Sequence, residues 1–231
     1  MDSTVTHGTP NMDEICERYR RLYAGLVYDV VEGLGYPNQA LSHQISAVAP
    51  GMMLAGPAFT VNGAVTAERG EAHRETALNM IRSMSRPCIE VRDRGTSFNV
   101  AIYGELSAAT AAAHGAVGAL VDGGTRDSGH LIARKFPIFA RYRSPVEAFG
   151  RYMIVNCQVP VRLSGELTDT VEVHPGDFIF GDEDGVIVVP KDLTLKVLSE
   201  CEGVKGVEDQ ARVDFTRGDD PLAVFKRYQR F

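Results

Sequence analysis

The chain has 231 residues, of which 44% are hydrophobic and 23% are charged, and its formal net charge is -6. Such a chain can bury one substantial core but is too short for two typical domains. The acidic balance argues against a nucleic-acid partner, because nucleic-acid-binding proteins present a basic surface. No apolar run approaches the ~20 residues that a membrane span needs, so we expect no membrane partner.

Two further features indicate the compartment. Residues 1–10 are polar and lack the apolar core of a signal peptide. The four cysteines are scattered and form no C-x-x-C pair, which favours reduced thiols over a disulfide framework or a zinc site. We therefore predict a cytoplasmic protein.

The first part of the chain is predicted to alternate between helices and strands. Residues 1–11 indicate a flexible tail, and residues 12–231 are predicted to form a single domain with a C-terminal helical extension. The spacing of apolar residues predicts three helices, at 13–23, 26–34 and 74–85. The segments between them are predicted as a loop that enters a strand (54–61), a short strand (88–91) and a polar loop (92–99).

The second half is predicted to be rich in β-structure. Apolar runs predict strands at 138–140 and 152–161, and hairpins at 164–173 and 178–189. The second hairpin has an acidic turn, which either only shapes the turn or binds a cation. A helical region at 193–212 has few apolar positions, so we expect it to pack on another subunit. The pattern predicts a mixed α/β fold with helices on a central sheet.

Between these halves, residues 104–130 are predicted to form one compact unit. A helix spans 104–114 and ends at Gly115, and a buried strand spans 116–121. The next four residues, Asp-Gly-Gly-Thr at 122–125, are predicted as a turn held by the aspartate side chain, because glycine relaxes the steric limits on φ. The unit then continues into a second helix.

This unit brings together groups that suit a small anion and a metal. The helix N-terminus at Gly104 has free N–H groups for a carboxylate, and Arg126 can hold a carboxylate or enolate with paired donors. Asp127 can anchor Mg²⁺, which keeps several waters and needs few protein ligands. The alternative is a solvated Arg-Asp pair at a helix start, with Asp127 or Ser128 as the cap.

Five segments, in their order and spacing, resemble the RraA-like superfamily. They are Gly-Glu-Leu at 104–106, Val-Asp-Gly-Gly-Thr-Arg-Asp at 121–127, Phe-Pro-Ile-Phe-Ala-Arg at 136–141, Val-His-Pro-Gly-Asp at 173–177 and Gly-Asp-Glu-Asp-Gly-Val-Ile-Val-Val-Pro at 181–190. The resemblance implies a swivelling β/β/α fold and assembly as a homotrimer or homohexamer, with sites between subunits.

The superfamily includes class II, metal-dependent pyruvate aldolases that cleave 4-hydroxy-4-methyl-2-oxoglutarate and 4-carboxy-4-hydroxy-2-oxoadipate. The resemblance implies that Mg²⁺ or Mn²⁺ is the cofactor, that a 2-oxo acid is the substrate, and that Asp127 holds the metal. Arg126 and the metal would stabilise the enolate formed on C–C cleavage, and the same chemistry would decarboxylate oxaloacetate. The implied catalytic residues are Arg126 and Asp127. The implied substrate-binding residues are Gly104, Glu105, Leu106, Ser107 and Arg126.

Three residues have open roles at this point. The aldolases carry an acidic residue three positions beyond the aspartate, where this chain has His130, which could be a metal ligand, a proton carrier or a surface residue. Glu105 could act on the metal through water or only complement the helix dipole. Glu208 could reach a neighbouring subunit's site.

The competing function is a non-catalytic binding protein. The bacterial RraA regulator resembles the aldolases and binds an RNA-degrading enzyme, but it lacks their metal aspartate. Asp127 is present in this chain, so the sequence favours the enzyme over the regulator.

Overall fold

The computed structural model describes residues 11–95 and 99–230, apart from the side chains of residues 71 and 72. The predicted flexible tail therefore lies outside the described residues except for Asn11. The described helices are α1 (Met12–Tyr19), α2 (Ala24–Gly33), α3 (Glu71–Arg82), α4 (Glu105–Ala113), α5 (Ser128–Ala133), α6 (Thr194–Arg217) and α7 (Pro221–Tyr228). None of these helices has the length and apolar character needed to cross a membrane.

The described strands are β1 (Ser46–Ala47), β2 (Leu54–Val65), β3 (Cys88–Arg92), β4 (Ala101–Tyr103), β5 (Ala116–Thr125), β6 (Ile138–Arg143), β7 (Tyr152–Cys157), β8 (Val161–Ser164), β9 (Thr170–Val173), β10 (Phe178–Asp182) and β11 (Gly185–Val189). Nine of them form one sheet in the order β1-β6-β5-β3-β2-β10-β11, with β4 paired to β5 and β7 paired to β2. Strands β8 and β9 form a separate hairpin.

The centre of the sheet is parallel. Strands β2, β3, β5 and β6 pair in parallel, and β4 also runs parallel to β5. Helix α4 connects β4 to β5 and helix α5 connects β5 to β6, as parallel neighbours require a crossover. All residues of β3 and all but one of β5 are buried, as expected for strands covered on both faces.

Two hydrophobic clusters hold the layers together. The larger cluster packs β2, β3, β5 and β6 against α3 and α4. The second cluster packs the β10–β11 hairpin against α1, α2 and the first half of α6. In this second cluster the rings of Tyr19 and Phe178 stack with their centroids 4.2 Å apart. The mixed α/β fold predicted from the sequence is confirmed.

Most predicted elements occur, but several boundaries differ. The strand predicted at 152–161 is interrupted, because Gln158 has a φ of 56° and β7 and β8 lie on either side of it. The predicted hairpin at 164–173 pairs from Val161. The predicted helix at 193–212 extends to Arg217, and α7 follows where no element was predicted.

The predicted turn at 122–125 is wrong. These residues continue β5, and they are buried. A Cβ on Gly124 would lie 2.4 Å from a ring atom of Tyr142 and 2.5 Å from the Val100 carbonyl oxygen. Glycine is therefore required here for close packing rather than for a turn.

Asp122 does not hold a turn either. Its carboxylate accepts hydrogen bonds from Arg141 Nη1 (2.9 Å), from Ser164 N (2.8 Å) and from Ser164 Oγ (3.0 Å). Asp122 thus joins β5 and β6 to β8. The acidic turn between β10 and β11 also has a structural role, since Asp182 accepts from Ala24 N at the start of α2 (2.7 Å).

The four cysteines are free, as predicted. Three are buried, and burial raises the pKa of both the Cys16 and the Cys88 thiol to about 11. These thiols are therefore protonated at neutral pH and inert as nucleophiles.

Candidate active site

The candidate site lies where β4 and β5 end. Tyr103 and Thr125 are paired as parallel neighbours at the carboxyl ends of these strands. The Arg126 backbone nitrogen donates to the Tyr103 carbonyl oxygen (3.0 Å), which fixes the segment after β5 beside the segment after β4. Ligands of parallel sheets bind at this edge because the loops that follow the strands diverge there.

The backbone conformation of Asp127 directs its carboxylate toward α4. Its φ is 59°, in the left-handed region that non-glycine residues rarely adopt. Asp127 occupies the N-cap position of α5, but its side chain makes no capping hydrogen bond. The Oδ2 atom instead accepts from the backbone nitrogen of Glu105, 3.3 Å away. Of the two residues predicted as the cap, Asp127 holds the N-cap position and Ser128 begins α5, while the Asp127 carboxylate faces α4.

Gly104 makes room for this contact. A Cβ at this position would lie 2.9 Å from Asp127 Oδ2 and 3.2 Å from Arg126 Cγ. The Arg126 Nε atom is 3.5 Å from Asp127 Oδ2, and both side chains remain more than one third exposed. The glycine, the guanidinium and the carboxylate that the sequence singled out therefore lie together.

The N-terminus of α4 offers donors to the same space. The first hydrogen bond within the helix runs from Ala108 N to Gly104 O (3.0 Å). The backbone N–H groups of Leu106 and Ser107 precede it, and they have no acceptor among the described residues, so they are available to a ligand. The Glu105 side chain, in contrast, forms an ion pair with Arg134 Nε at 2.6 Å.

The first residues of α4, except Glu105, and the Arg126–Asp127 pair line a cavity of about 250 Å³. A second group of lining residues comes from β7 and from the segment before it. Its residues are largely apolar, and they include Ala148, Phe149, Tyr152, Met153 and Ile154. Glu147 also lines the cavity, with its Oε1 4.0 Å from Arg126 Nη2. No sequence motif pointed to this second wall.

A buried charged cluster forms part of the cavity floor. Arg92 was predicted in a polar loop, but it is the last residue of β3 and only 4% exposed. Its Nε donates to Glu90 Oε1 (2.6 Å), and the Tyr103 hydroxyl donates to Glu90 Oε2 (3.1 Å). Burial raises the pKa of Tyr103 well above its ordinary value, so the hydroxyl remains a donor.

The remaining candidate residues lie elsewhere. His130 is exposed on α5 and is not part of the cavity lining. The Tyr23 hydroxyl donates to Glu208, which lines a separate cavity near the C-terminal helices. The contact between His130 and Asp127 is a backbone one, from His130 N to Asp127 O (2.9 Å).

The side chains available as metal ligands in the cavity suit a hard cation that keeps most of its bound waters. No group of three or more His, Cys, Asp or Glu side chains that could hold a metal is found among the described residues. The acidic residues in the cavity lining are Asp127 and Glu147. Mg²⁺ is commonly held by one or two carboxylates, with waters and substrate oxygens completing its shell, so Asp127 fits such an ion.

Similarity to known proteins agrees with this architecture. The RraA-like family model, described as Aldolase/RraA, matches residues 24–188. The chain is 30% identical over 195 residues to a Halalkalibacterium halodurans protein named "Putative 4-hydroxy-4-methyl-2-oxoglutarate aldolase", and the match covers 84% of this chain and 85% of that protein. It is 26% identical over 192 residues to protein DlpA of Legionella pneumophila, of which the match spans only 30%.

Two solved structures share the fold. One, described as a novel cellulase from microbes associated with the gut ecosystem, has a TM-score of 0.79 and 31% identity, with 90% of each chain covered. The other is Streptomyces coelicolor RraAS2, described as an unusual member of the RNase ES inhibitor RraA protein family. It has a TM-score of 0.74 and 20% identity over 89% of this chain and 99% of that one. With the family match spanning most of its length, the chain belongs to the RraA-like family.

Proposed function

We propose that the protein is a divalent-metal-dependent lyase that cleaves a 4-hydroxy-2-oxo acid to pyruvate and a second carbonyl compound. The observation that carries the proposal is the placement of Asp127 Oδ2 3.3 Å from the first N–H of α4, with Arg126 beside it. A carboxylate that suits a cation, a guanidinium and the N–H groups at the start of α4 thus line one cavity, which supports the proposal. The aldolase name of the Halalkalibacterium halodurans relative supports the same reaction class.

Each group has a defined task in this reaction. The N–H groups of Leu106 and Ser107 bind the carboxylate of the 2-oxo acid. The 4-hydroxyl loses its proton to a solvent water as the C3–C4 bond breaks, and the electrons of that bond pass to the 2-oxo group, giving the enolate of pyruvate and a carbonyl at C4. A proton from solvent then adds to C3 of the enolate and gives pyruvate. Arg126 stabilises the charge that develops on the enolate oxygen, a preorganised effect that is usually the largest in catalysis.

Asp127 is the residue that would hold Mg²⁺ or Mn²⁺. The bound cation supplies Lewis-acid polarisation of the 2-oxo group. Oxaloacetate would give the same enolate as it loses carbon dioxide, so decarboxylation is the expected side activity.

We also propose that the chain acts as a homotrimer or homohexamer in the cytoplasm, with residues 12–231 as one domain. Support for assembly comes from apolar side chains that remain exposed on the C-terminal helices, among them Val213 (62%), Leu222 (58%) and Phe225 (41%).

A pyruvate-release assay tests the proposed reaction. The purified protein is incubated with a panel of 4-hydroxy-2-oxo acids and with oxaloacetate, with and without Mg²⁺. We expect release of pyruvate from at least one 4-hydroxy-2-oxo acid only when the metal is present. Failure on the whole panel would favour the alternative, a non-catalytic regulatory binding protein of the RraA type.

A further inference from the structure

We propose that His73 is the general base of the candidate active site and takes the proton of the 4-hydroxyl in place of a solvent water. The inference rests on the proposed function and adds a catalytic residue to it. His73 lies in the first turn of α3, outside the 104–130 unit, yet it lines the same cavity as Arg126 and Asp127.

The titratable side chains of the cavity leave few candidates for this task. Among the described residues, the lining contains three arginines, two tyrosines, two carboxylates and one histidine. Arginine side chains stay protonated in proteins. Burial raises the pKa of Tyr103 well above its ordinary value, and burial also raises the pKa of Tyr152. Both hydroxyls therefore keep their protons at neutral pH and cannot act as bases.

The two carboxylates of the lining are engaged elsewhere. Asp127 is the residue that would hold the cation, and a carboxylate coordinated to a metal is not free to take a proton. Glu147 Oε1 lies 4.0 Å from Arg126 Nη2, and the Glu147 side chain is 56% exposed. Carboxyl groups ordinarily titrate near about pH 4, which makes them weaker bases than imidazole. His73 is the candidate that remains in the described part of the lining.

The surroundings of His73 suit a base that is oriented by a carboxylate. Its side chain is only 17% exposed. The Nε2 atom is closed to solvent and makes no hydrogen bond with any described residue, yet Glu68 Oε2 lies 3.3 Å away. A buried polar atom without a partner is rare and calls for an explanation. A small rotation of either side chain would let Nε2–H donate to Glu68, which leaves Nδ1 as the acceptor.

Other polar groups close to the ring come from its own helix and from β7. Helix α3 packs against β7, where the buried Tyr152 hydroxyl has no partner among the described residues. The guanidinium of Arg74 is held over the Phe149 ring, 4.7 Å from the centroid. The remaining charged groups of the lining are Arg92, Arg126, Asp127 and Glu147. Glu68 is the anion within ion-pair distance of the ring, and it stabilises the imidazolium that proton transfer creates.

The step balances without a further reactant. Nδ1 of neutral His73 takes the 4-hydroxyl proton, and the electrons of the O–H bond form the carbonyl at C4. The electrons of the C3–C4 bond pass to the 2-oxo group. The imidazolium then gives its proton to C3 of the enolate, which yields pyruvate and restores the neutral base. General acid–base catalysis of this kind typically contributes ~10²–10⁴-fold.

Two reactions of the same site test the role of His73. Cleavage of a 4-hydroxy-2-oxo acid requires removal of a hydroxyl proton, whereas oxaloacetate loses carbon dioxide without such a step. His73→Gln should therefore lower kcat/KM for cleavage by at least ~100-fold. For oxaloacetate decarboxylation, kcat/KM should stay within about threefold of the wild-type value. A histidine that only supports the fold would affect both reactions alike.

The pH dependence of cleavage gives a second measurement. Histidine ordinarily titrates between about pH 5 and 8, and a general base must be unprotonated. We expect wild-type kcat/KM to fall on the acid side of this range, and His73→Gln to lack that acid limb. Glu68→Gln should move the limb to lower pH, because the imidazolium loses its neighbouring anion.

His43→Gln is the matched control. His43 also lies beside a glutamate, with Nδ1 3.0 Å from Glu166 Oε2, but it is outside the lining of the candidate site. This variant should keep both activities and the acid limb.

The outcomes separate this inference from the proposed function. Equal loss of both activities in His73→Gln, or an acid limb that persists unchanged in that variant, would overturn the role of His73 alone. If the wild-type protein does not decarboxylate oxaloacetate, the acid limb decides. Failure of the wild-type protein to release pyruvate from any 4-hydroxy-2-oxo acid would overturn the proposed function and this inference with it.

Discussion

The Oδ2 atom of Asp127 lies 3.3 Å from the backbone nitrogen of Glu105, so a carboxylate at the end of β5 faces the N-terminus of α4. Anions are stabilised at this end of a helix by the dipole and by unpaired N–H groups. A cation bound by Asp127 and an anion bound by the helix N–H groups would therefore share one small space.

Arg126→Lys should lower kcat/KM for pyruvate release by at least ~100-fold, the scale of removing one transition-state donor. Lysine keeps the positive charge but loses the planar pair of donors that holds a carboxylate and an enolate. Steady-state kinetics on the best substrate measures the effect. His130→Ala is the control, because His130 is exposed and outside the cavity lining. A comparable loss in that variant would give His130 a role in proton transfer or metal binding.

Gly104→Ala should reduce activity without unfolding the protein. The new Cβ would lie 2.9 Å from Asp127 Oδ2, so the carboxylate must move away from α4. The backbone φ of Gly104 is -157°, which alanine adopts freely. Gly129→Ala, two residues beyond Asp127, is the matched control, since no atom of the described residues lies within 4 Å of its added Cβ. Equal activity of the two variants would contradict the role of the Gly104–Asp127 contact.

Gly124→Ala should lower the free energy of unfolding by about 1–3 kcal/mol, the usual cost of overpacking a core. Its Cβ would collide with the Tyr142 ring and with the Val100 carbonyl oxygen. Gly203→Ala, at an exposed position of α6 where a Cβ would meet no atom of the described chain within 4 Å, should instead raise stability by up to ~1 kcal/mol. Urea denaturation of both variants measures whether each substitution lowers or raises the free energy of unfolding. An undiminished stability of Gly124→Ala would indicate that β5 is not packed as described.

Assembly is tested by light scattering. The exposed apolar residues of α6 and α7 predict a stable trimer or hexamer of the 25.1 kDa chain. Val213→Glu combined with Phe225→Glu should shift the mass toward the monomer, because buried charge in an apolar interface is costly. A wild-type monomer at micromolar concentration would rule out the proposed assembly.

Local sequence patterns predicted which residues of the candidate site lie close together when those residues are also close in sequence. Gly104 follows β4, and Arg126 and Asp127 follow β5. The parallel pairing of these two strands brings their carboxyl ends to one edge. A helix N-terminus and an Arg-Asp pair at that edge were therefore predictable as neighbours.

Long-range packing was not predictable in the same way. The glycines of β5 predicted a turn. Glycine is needed at position 124 because a Cβ there would collide with Tyr142 and Val100, which lie on other strands or loops. Arg92 was assigned to a polar loop, because nothing nearby in the sequence shows that Glu90 and Tyr103 would neutralise it inside the fold. The left-handed conformation of Asp127, which turns its side chain from α5 to α4, also depends on tertiary contacts.

The most direct test of the account is pyruvate release measured against Mn²⁺ concentration for the wild-type protein and for Asp127→Asn. Asparagine keeps the size of the side chain but removes the charge that retains the cation. We expect wild-type activity to be lost in EDTA and restored by Mn²⁺, and kcat/KM of Asp127→Asn to fall by at least ~100-fold with unchanged fold and assembly. Full wild-type activity in EDTA with borohydride trapping of the substrate, or near wild-type turnover by Asp127→Asn, would contradict the account.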